Sequence, residues 1–190
     1  SCVWKPSEKS ALCSIACQHI WNEVAAANDV PEGLSCVVNG YASIGEKLSD
    51  DTRIPLVSAT GSTRMGKAVS KAVGARLGRA LLELGGNNAV IIAPDADLEM
   101  VVPATVFGAV GTCGQRCTST RRLIIHRSIY DQVKTVLTKA YQQLSIGNPL
   151  DQKNHVGPLT DQAAVQMYLD ALDAVEAEGG TFLVKGGKLD

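Results

Sequence analysis

Short β-prone apolar runs alternate along this chain with stretches of helical periodicity, and glycine-rich turns separate them. This alternation narrows the fold more than any other feature. Parallel strands cannot be joined by a tight hairpin, so they need crossover connections, and a helix packed on the sheet is the usual crossover. From the start, Ser7 caps a helix with Glu8 in its first turn; Leu12, Ile15, Ala16, Ile20 and Val24 then recur at helical spacing, and the helix ends near Asn28. Pro31-Glu32-Gly33 turns into a strand over 34–38 that Asn39-Gly40 closes. A short helical stretch around 44–48 leads to a strand over 54–58. That strand runs into Gly61-Ser62-Thr63-Arg64-Met65-Gly66 and a helix over 63–77.

Two apolar runs, 80–84 and 89–92, read as buried strands parted by Gly85-Gly86-Asn87-Asn88. Asp97 caps a helix over 98–110 that holds Pro103 in its early turns, and the helix end points at the loop 111–117. After a strand over 121–126, Ser128-Ile129-Tyr130-Asp131 has the form of a capping box. The helix it opens carries Val133, Val136, Leu137, Ala140, Tyr141 and Leu144 on one face. A helix over 161–178 and a final strand over 181–184 complete the pattern, which predicts an α/β fold with a parallel sheet. Val3 and Trp4 enter the fold at once and the last strand has no following element, so the expectation is an internal part of a longer chain.

Charge and composition exclude several function classes. Eighteen Lys and Arg against 19 Asp and Glu give a formal charge of −1, which supplies no field to draw nucleic acid or an anionic membrane. The apolar runs are far shorter than the ~20 residues a membrane helix needs. Small, roughly neutral partners are expected. Six cysteines (Cys2, Cys13, Cys17, Cys36, Cys113, Cys117) are irregularly spaced in a chain without an export signal, which points to reduced thiols and a cytoplasmic compartment. Their pairs four apart do not have the tighter spacing common in zinc sites, so no metal is expected.

The chemistry centres on Glu83, in Leu82-Glu83-Leu84-Gly85-Gly86-Asn87, and Cys117, in Gly114-Gln115-Arg116-Cys117. A thiolate is a strong soft nucleophile that adds to a carbonyl, and a carboxylate can activate the water that later releases the acyl group. Gly61 and Ser62 open a helix directly after a strand, where free N–H groups and the helix dipole favour phosphate. The pattern is not the Gly-x-Gly-x-x-Gly fingerprint and reads equally as a capped glycine turn. Lys5 and Glu8 stand where a strand gives way to a helix and could reach ribose hydroxyls; taken alone they are also an ordinary surface pair. A carboxylate on the 2′-hydroxyl would repel a 2′-phosphate and favour NAD over NADP.

Taken together, Trp4-Lys5-Pro6-Ser7-Glu8, Thr60-Gly61-Ser62-Thr63, the Glu83 motif and the Cys117 motif resemble, in order and spacing, the NAD(P)-dependent aldehyde dehydrogenase superfamily. Glu83 and Cys117 lie 34 positions apart (117 − 83). Leu-Glu-Leu-Gly-Gly-Asn-Asn-Ala and Val-Gly-Thr-x-Gly-Gln-Arg-Cys-Thr are further similar to the antiquitin branch, the α-aminoadipic semialdehyde dehydrogenases of lysine catabolism.

The resemblance implies part of a Rossmann-like cofactor domain over 1–82, followed by part of an α/β catalytic domain over 83–190. It implies Cys117 as nucleophile and Glu83 as general base. Lys5, Glu8, Gly61, Ser62, Leu84 and Gly85 would line the NAD site, and Arg116 would grip a substrate carboxylate. The implied reaction oxidises an aldehyde to a carboxylate through a thiohemiacetal and a thioester. The implied full-length protein is a homodimer or homotetramer, with the isolated segment inactive. A CoA-acylating dehydrogenase and a non-catalytic nucleotide-binding relative are the alternatives. Ala59 stands where the family commonly has Phe, and Cys113, four residues before the nucleophile, could bridge to Cys117 under oxidation.

Overall fold

Each strand pair in the computed structural model, which describes residues 1–189, is parallel and encloses a helix. Strand β1 (Cys2–Trp4), helix α1 (Ala11–Ala27) and strand β2 (Ser35–Val37) form the first such unit. Helix α2 (Ala42–Asp50) leads to the second, β3 (Leu56–Thr60), α3 (Thr63–Ala75) and β4 (Arg79–Glu83). The third is β5 (Asn88–Ile92), α4 (Leu98–Val110) and β6 (Thr120–Ile125), followed by α5 (Tyr130–Gln142) and α6 (Gln162–Ala177). The pairs form three separate two-stranded ladders, β1 with β2, β3 with β4 and β5 with β6. The chain divides into two compact units, Ser1–Leu84 and Gly85–Asp190. The parallel α/β class expected from the alternation is the one observed.

Helices α3, α4 and α6 begin where a side-chain oxygen satisfies one of their first N–H groups. Ser62 accepts from the Met65 N–H at 3.2 Å, Asp97 from Glu99 at 3.0 Å and Asp161 from Ala164 at 2.9 Å. In the second unit, Ile92, Val133 and Leu137 are buried together, and Leu98, Val101, Val102, Leu123 and Ile129 pack against them. These residues come from β5, β6, α4, α5 and the turn before α5, so one cluster ties the third crossover together.

Several expectations are corrected. Strand β3 begins at Leu56 rather than residue 54, because the Ile54 N–H closes a turn onto the Asp51 carbonyl and Pro55 has no N–H to give. Helix α3 stops at Ala75: Leu77 takes a left-handed conformation (φ 58°), and the Gly78 N–H returns to the Val73 carbonyl. Ser128 does not cap α5. His126 instead caps a single 3₁₀ turn, Arg127–Ile129, its Nδ1 accepting from the Ser128 N–H at 3.3 Å, and α5 starts at Tyr130. Residues 181–184 form no strand, since no ladder among the described residues receives them. There Lys185 pairs with Glu176 and lies over the Phe182 ring.

The largest departure concerns burial. Leu12 is 82% exposed and Ile20 60%, so the apolar stripe of α1 faces outward, and Ile91 of the supposedly buried β5 is 77% exposed. The helix and the strand are both where the sequence puts them, yet Val73 and Pro6 are the buried apolar side chains of the first unit among the described residues.

The Ile92 cluster gives a direct stability prediction. Ile92→Ala removes the centre of a closed contact set and should lower the unfolding free energy by about 2–5 kcal/mol, and Ile92→Val by about 0.5–1.5 kcal/mol. An unchanged urea midpoint for Ile92→Ala contradicts this core.

Candidate active site

Parallel pairing places two of the sequence-derived candidates side by side. Thr60, the last residue of β3, is in register with Glu83, the last residue of β4, and the Gly61 N–H donates to the Glu83 carbonyl at 3.0 Å. Glu83 therefore ends its strand against the glycine turn, with its side chain exposed. The Ser62 hydroxyl accepts from Met65, which leaves its own proton available for an anion. The Ser62 carbonyl takes the Gly66 N–H at 2.9 Å. Gly66 is buried, and a Cβ there would lie 2.5 Å from Leu84 Cδ2, so glycine lets Leu84 seat against the first turn of α3. Gly61, Ser62, Glu83 and Leu84 thus form one local group.

Lys5 and Glu8 flank the exit of β1. Lys5 Nζ lies 3.4 Å from Glu8 Oε2. The Glu8 carboxyl is held below its ordinary range, first by its own backbone N–H and then by the Lys5 ammonium. An ionised carboxylate with accepting lone pairs suits a ribose hydroxyl.

Cys117 sits in the turn that precedes β6, and its thiol is exposed. Its backbone is fixed by residues that sequence reasoning had quoted without assigning them a role. Asn88 Nδ2 donates to the Cys117 carbonyl at 2.7 Å and to the Ser119 carbonyl at 3.1 Å. A Cβ on Gly86 would approach the Cys117 carbonyl oxygen to 2.9 Å. Gly85, two residues after Glu83, has open space about its Cα. Buried Ser119 accepts the Arg116 N–H at 3.2 Å through its hydroxyl, and its own N–H returns to the Arg116 carbonyl at 3.2 Å. Among the described residues nothing engages the Cys117 N–H. Asn88 and Ser119 could have been suspected only from their nearness to the two motifs, since nothing in a single sequence reveals that an amide side chain will bridge two distant carbonyls.

The preceding loop is strained. Thr112, Cys113 and Gly114 take successive left-handed conformations, with φ of 50°, 56° and 68°. A non-glycine residue so placed costs on the order of 1–3 kcal/mol. Arg116 Nε donates to Thr112 Oγ1 at 2.9 Å, and the guanidinium lies 5.5 Å from the Phe107 ring centroid. Gln115 bonds the Thr112 carbonyl at 3.1 Å and accepts the Thr160 N–H at 2.9 Å. Cys113 is half-buried, and burial pushes its thiol above the ordinary range. It lines a cavity of ≈ 360 Å³ with Gln115, Asn154, His155 and Pro158. All six cysteines are free, and no group of three or more His, Cys, Asp or Glu among the described residues could hold a metal. No helix among them is long and apolar enough to cross a membrane.

Parallel strand–helix–strand units, a capped glycine turn beside a strand-terminal glutamate and an exposed cysteine on a tied loop place the chain in the parallel α/β class. The aldehyde dehydrogenase family matches it over residues 1–190. A family 7 member A1 homolog of Caenorhabditis elegans is 51% identical over all of this chain and 36% of its own length. The α-aminoadipic semialdehyde dehydrogenase of Bos taurus is 47% identical over all of this chain and 35% of its own. Among solved structures, a Staphylococcus aureus betaine aldehyde dehydrogenase in complex with NAD+ superposes with a TM-score of 0.93 at 31% identity, covering 99% of this chain and 37% of that one. A Methanocaldococcus jannaschii glyceraldehyde-3-phosphate dehydrogenase complexed with NADP gives 0.93 at 31% identity, over 99% and 41%. The chain belongs to the aldehyde dehydrogenase family, and it spans a little over a third of the curated relatives' length.

Two predictions follow from the loop geometry. Gly86→Ala forces the Cys117 carbonyl to move and should lower activity of the full-length protein at least tenfold with little change in cofactor affinity; unaltered turnover contradicts the close approach. Cys113, with its raised pKa, should be alkylated by iodoacetamide at pH 7.5 more slowly than exposed Cys13 or Cys36, and should gain rate only as pH rises beyond the ordinary thiol range. Peptide mapping that finds Cys113 labelled first contradicts its burial.

Proposed function

We propose that these residues carry the nucleophile, the general base and part of the NAD site of an aldehyde-oxidising enzyme. The observation that carries the reading is the exposed Cys117 thiol on a loop whose main chain is pinned by Asn88 and given room by Gly86. Residues 1–82 serve as the cofactor part and 83–190 as the start of the catalytic part. The residues present suit NAD: Ser62 has a hydroxyl proton and an adjoining helix start for a pyrophosphate, and Glu8 has a charged acceptor for a ribose 2′-hydroxyl. Lys5, Gly61, Leu84 and Gly85 complete the set.

The Cys117 thiolate adds to the aldehyde carbon, forming a C–S bond while the carbonyl π electrons move onto oxygen. The uncommitted Cys117 N–H meets that oxyanion and lowers the barrier. NAD, when bound, accepts the hydride whose loss converts the thiohemiacetal to a thioester. Glu83 then takes a proton from water, the resulting hydroxide attacks the thioester carbonyl, and the C–S bond breaks to return the thiolate and release the carboxylic acid.

Arg116 supplies the grip for an aldehyde bearing a remote carboxylate, since a guanidinium fork matches two carboxylate oxygens. Together with the relatives' names, this supports a semialdehyde such as α-aminoadipic semialdehyde and a role in lysine catabolism. Six free cysteines favour a reducing, cytoplasmic setting. The full protein is read as a homodimer or homotetramer on the strength of the family resemblance.

The two roles are separable in the full-length protein. Cys117→Ala should abolish aldehyde-dependent NADH formation. Glu83→Gln should keep a single-turnover burst of NADH but slow the steady state by about 10²–10⁴-fold. A Cys117→Ala protein that turns over, or a Glu83→Gln protein whose steady-state rate is unchanged, overturns the corresponding assignment.

A further inference from the structure

The Cys117 loop contains one side chain whose conformation is costly and whose hydroxyl has a defined task. Thr112 is β-branched yet left-handed, at φ 50° and ψ 39°, where glycine or asparagine would be at ease. Its hydroxyl donates to the Gly111 carbonyl at 2.7 Å. With the proton so committed, Oγ1 presents only lone pairs, and Arg116 Nε donates to it at 2.9 Å. On the other side the Phe107 ring lies 5.5 Å from the guanidinium carbon, within cation–π range. Arg116 carries no carboxylate partner among the described residues, and its Nη edge makes no hydrogen bond there. The backbone of the same arginine is fixed by Ser119 at both its N–H and its carbonyl.

We propose that Thr112 and Phe107 form a clamp that orients the Arg116 guanidinium, presenting its free Nη edge to the remote carboxylate of the substrate, and that they are positioning residues setting preference for carboxylated over neutral aldehydes. The inference rests on the reading of Arg116 as the carboxylate grip. A guanidinium held at Nε and stacked on a ring loses little further side-chain freedom when a carboxylate docks, so affinity for that carboxylate is gained in advance. A lysine in place of Arg116 could make one of these contacts with its single ammonium, but would keep no second, bidentate edge to offer a carboxylate. The left-handed backbone at Thr112 fits the same role: glycine there would relax the chain but would remove the acceptor.

The test compares two aldehydes of equal length in the full-length enzyme, one ending in a carboxylate and one in a methyl group. Thr112→Val keeps the shape and removes the acceptor. It should lower the ratio of kcat/KM for the carboxylated over the neutral aldehyde by about tenfold, the size expected when a charged hydrogen bond is lost, with the change falling mainly on KM. Thr112→Ser should restore the ratio, and Phe107→Leu should lower it by a smaller factor. Arg116→Met is the reference for losing the grip altogether. If Arg116→Met lowers the ratio while Thr112→Val and Phe107→Leu leave it unchanged, or if these two depress both aldehydes equally, the clamp is refuted and the grip stands. If Arg116→Met itself leaves the ratio unchanged, the carboxylate reading of Arg116 fails and the clamp fails with it.

Discussion

Parallel pairing is the constraint on which the rest of this structure depends. A parallel ladder delivers the carboxyl ends of both its strands to one edge, and in open α/β folds ligands gather at that edge. In the second ladder the rule has a concrete result: β3 runs out at Thr60 into the Gly61 turn, β4 runs out at Glu83, and the Gly61 N–H to Glu83 carbonyl bond joins the two exits. Shifting that register by one residue would turn Glu83 to the opposite face and separate it from the helix start that Ser62 caps. The third ladder places its chemistry at the other edge. Asn88 opens β5 opposite Thr120, which opens β6, so the carboxamide of Asn88 reaches back to the turn that holds Cys117. Within each ladder, taken by itself, the parallel register accounts for where its candidate group emerges.

What tied loops and strained residues contribute is preorganisation. The Cys117 turn has no helix or strand of its own, yet its carbonyl is held by Asn88, and its neighbours Arg116 and Ser119 bond each other reciprocally. The two left-handed non-glycine residues, Thr112 and Cys113, store strain next to it. Such strain persists only where surrounding contacts over-determine it, and Gln115 supplies two of them, on the Thr112 carbonyl and the Thr160 N–H.

Element type and order were legible because they rest on local chemistry: caps at Ser62 and Asp97, periodicity in α5, glycine turns between strands. The failures have physical causes of two kinds. Ser128 and residues 181–184 were misread because local signals compete with a nearby alternative. The His126 ring took the N–H that a capping box would have used, and the β-prone tetrapeptide 181–184 pairs with no strand among the described residues. The burial of β5 was misread on one face only: Val90 and Ile92 lie in the core while Ile91 between them is exposed, because an apolar run by itself cannot say whether both its faces are covered. In the site, Glu83, Cys117 and Ser62 stood out by residue type and glycine context. Asn88, Gly86 and Ser119 did not, because their importance lies in contacts across 29 to 31 residues of chain or with a backbone atom of the loop.

Discrimination between NAD and NADP, in the proposed reading, rests on the charge of the Glu8 carboxylate and on how far Lys5 offsets it. Glu8 is exposed, so solvent screens its field, and its usefulness depends on being ionised and correctly placed rather than on a strong potential. Its backbone N–H and Lys5 both favour the charged form, pulling the carboxyl below its ordinary 4.5. A group with a depressed folded-state pKa stays ionised at every pH above that ordinary value and loses its charge only as the pH falls through the lower one. The acceptor for a 2′-hydroxyl is therefore constant across the neutral range, and so is the repulsion of a 2′-phosphate. Lys5 offsets part of that repulsion from 3.4 Å away, so the balance between the two side chains, and not Glu8 alone, sets how strongly the second cofactor is excluded.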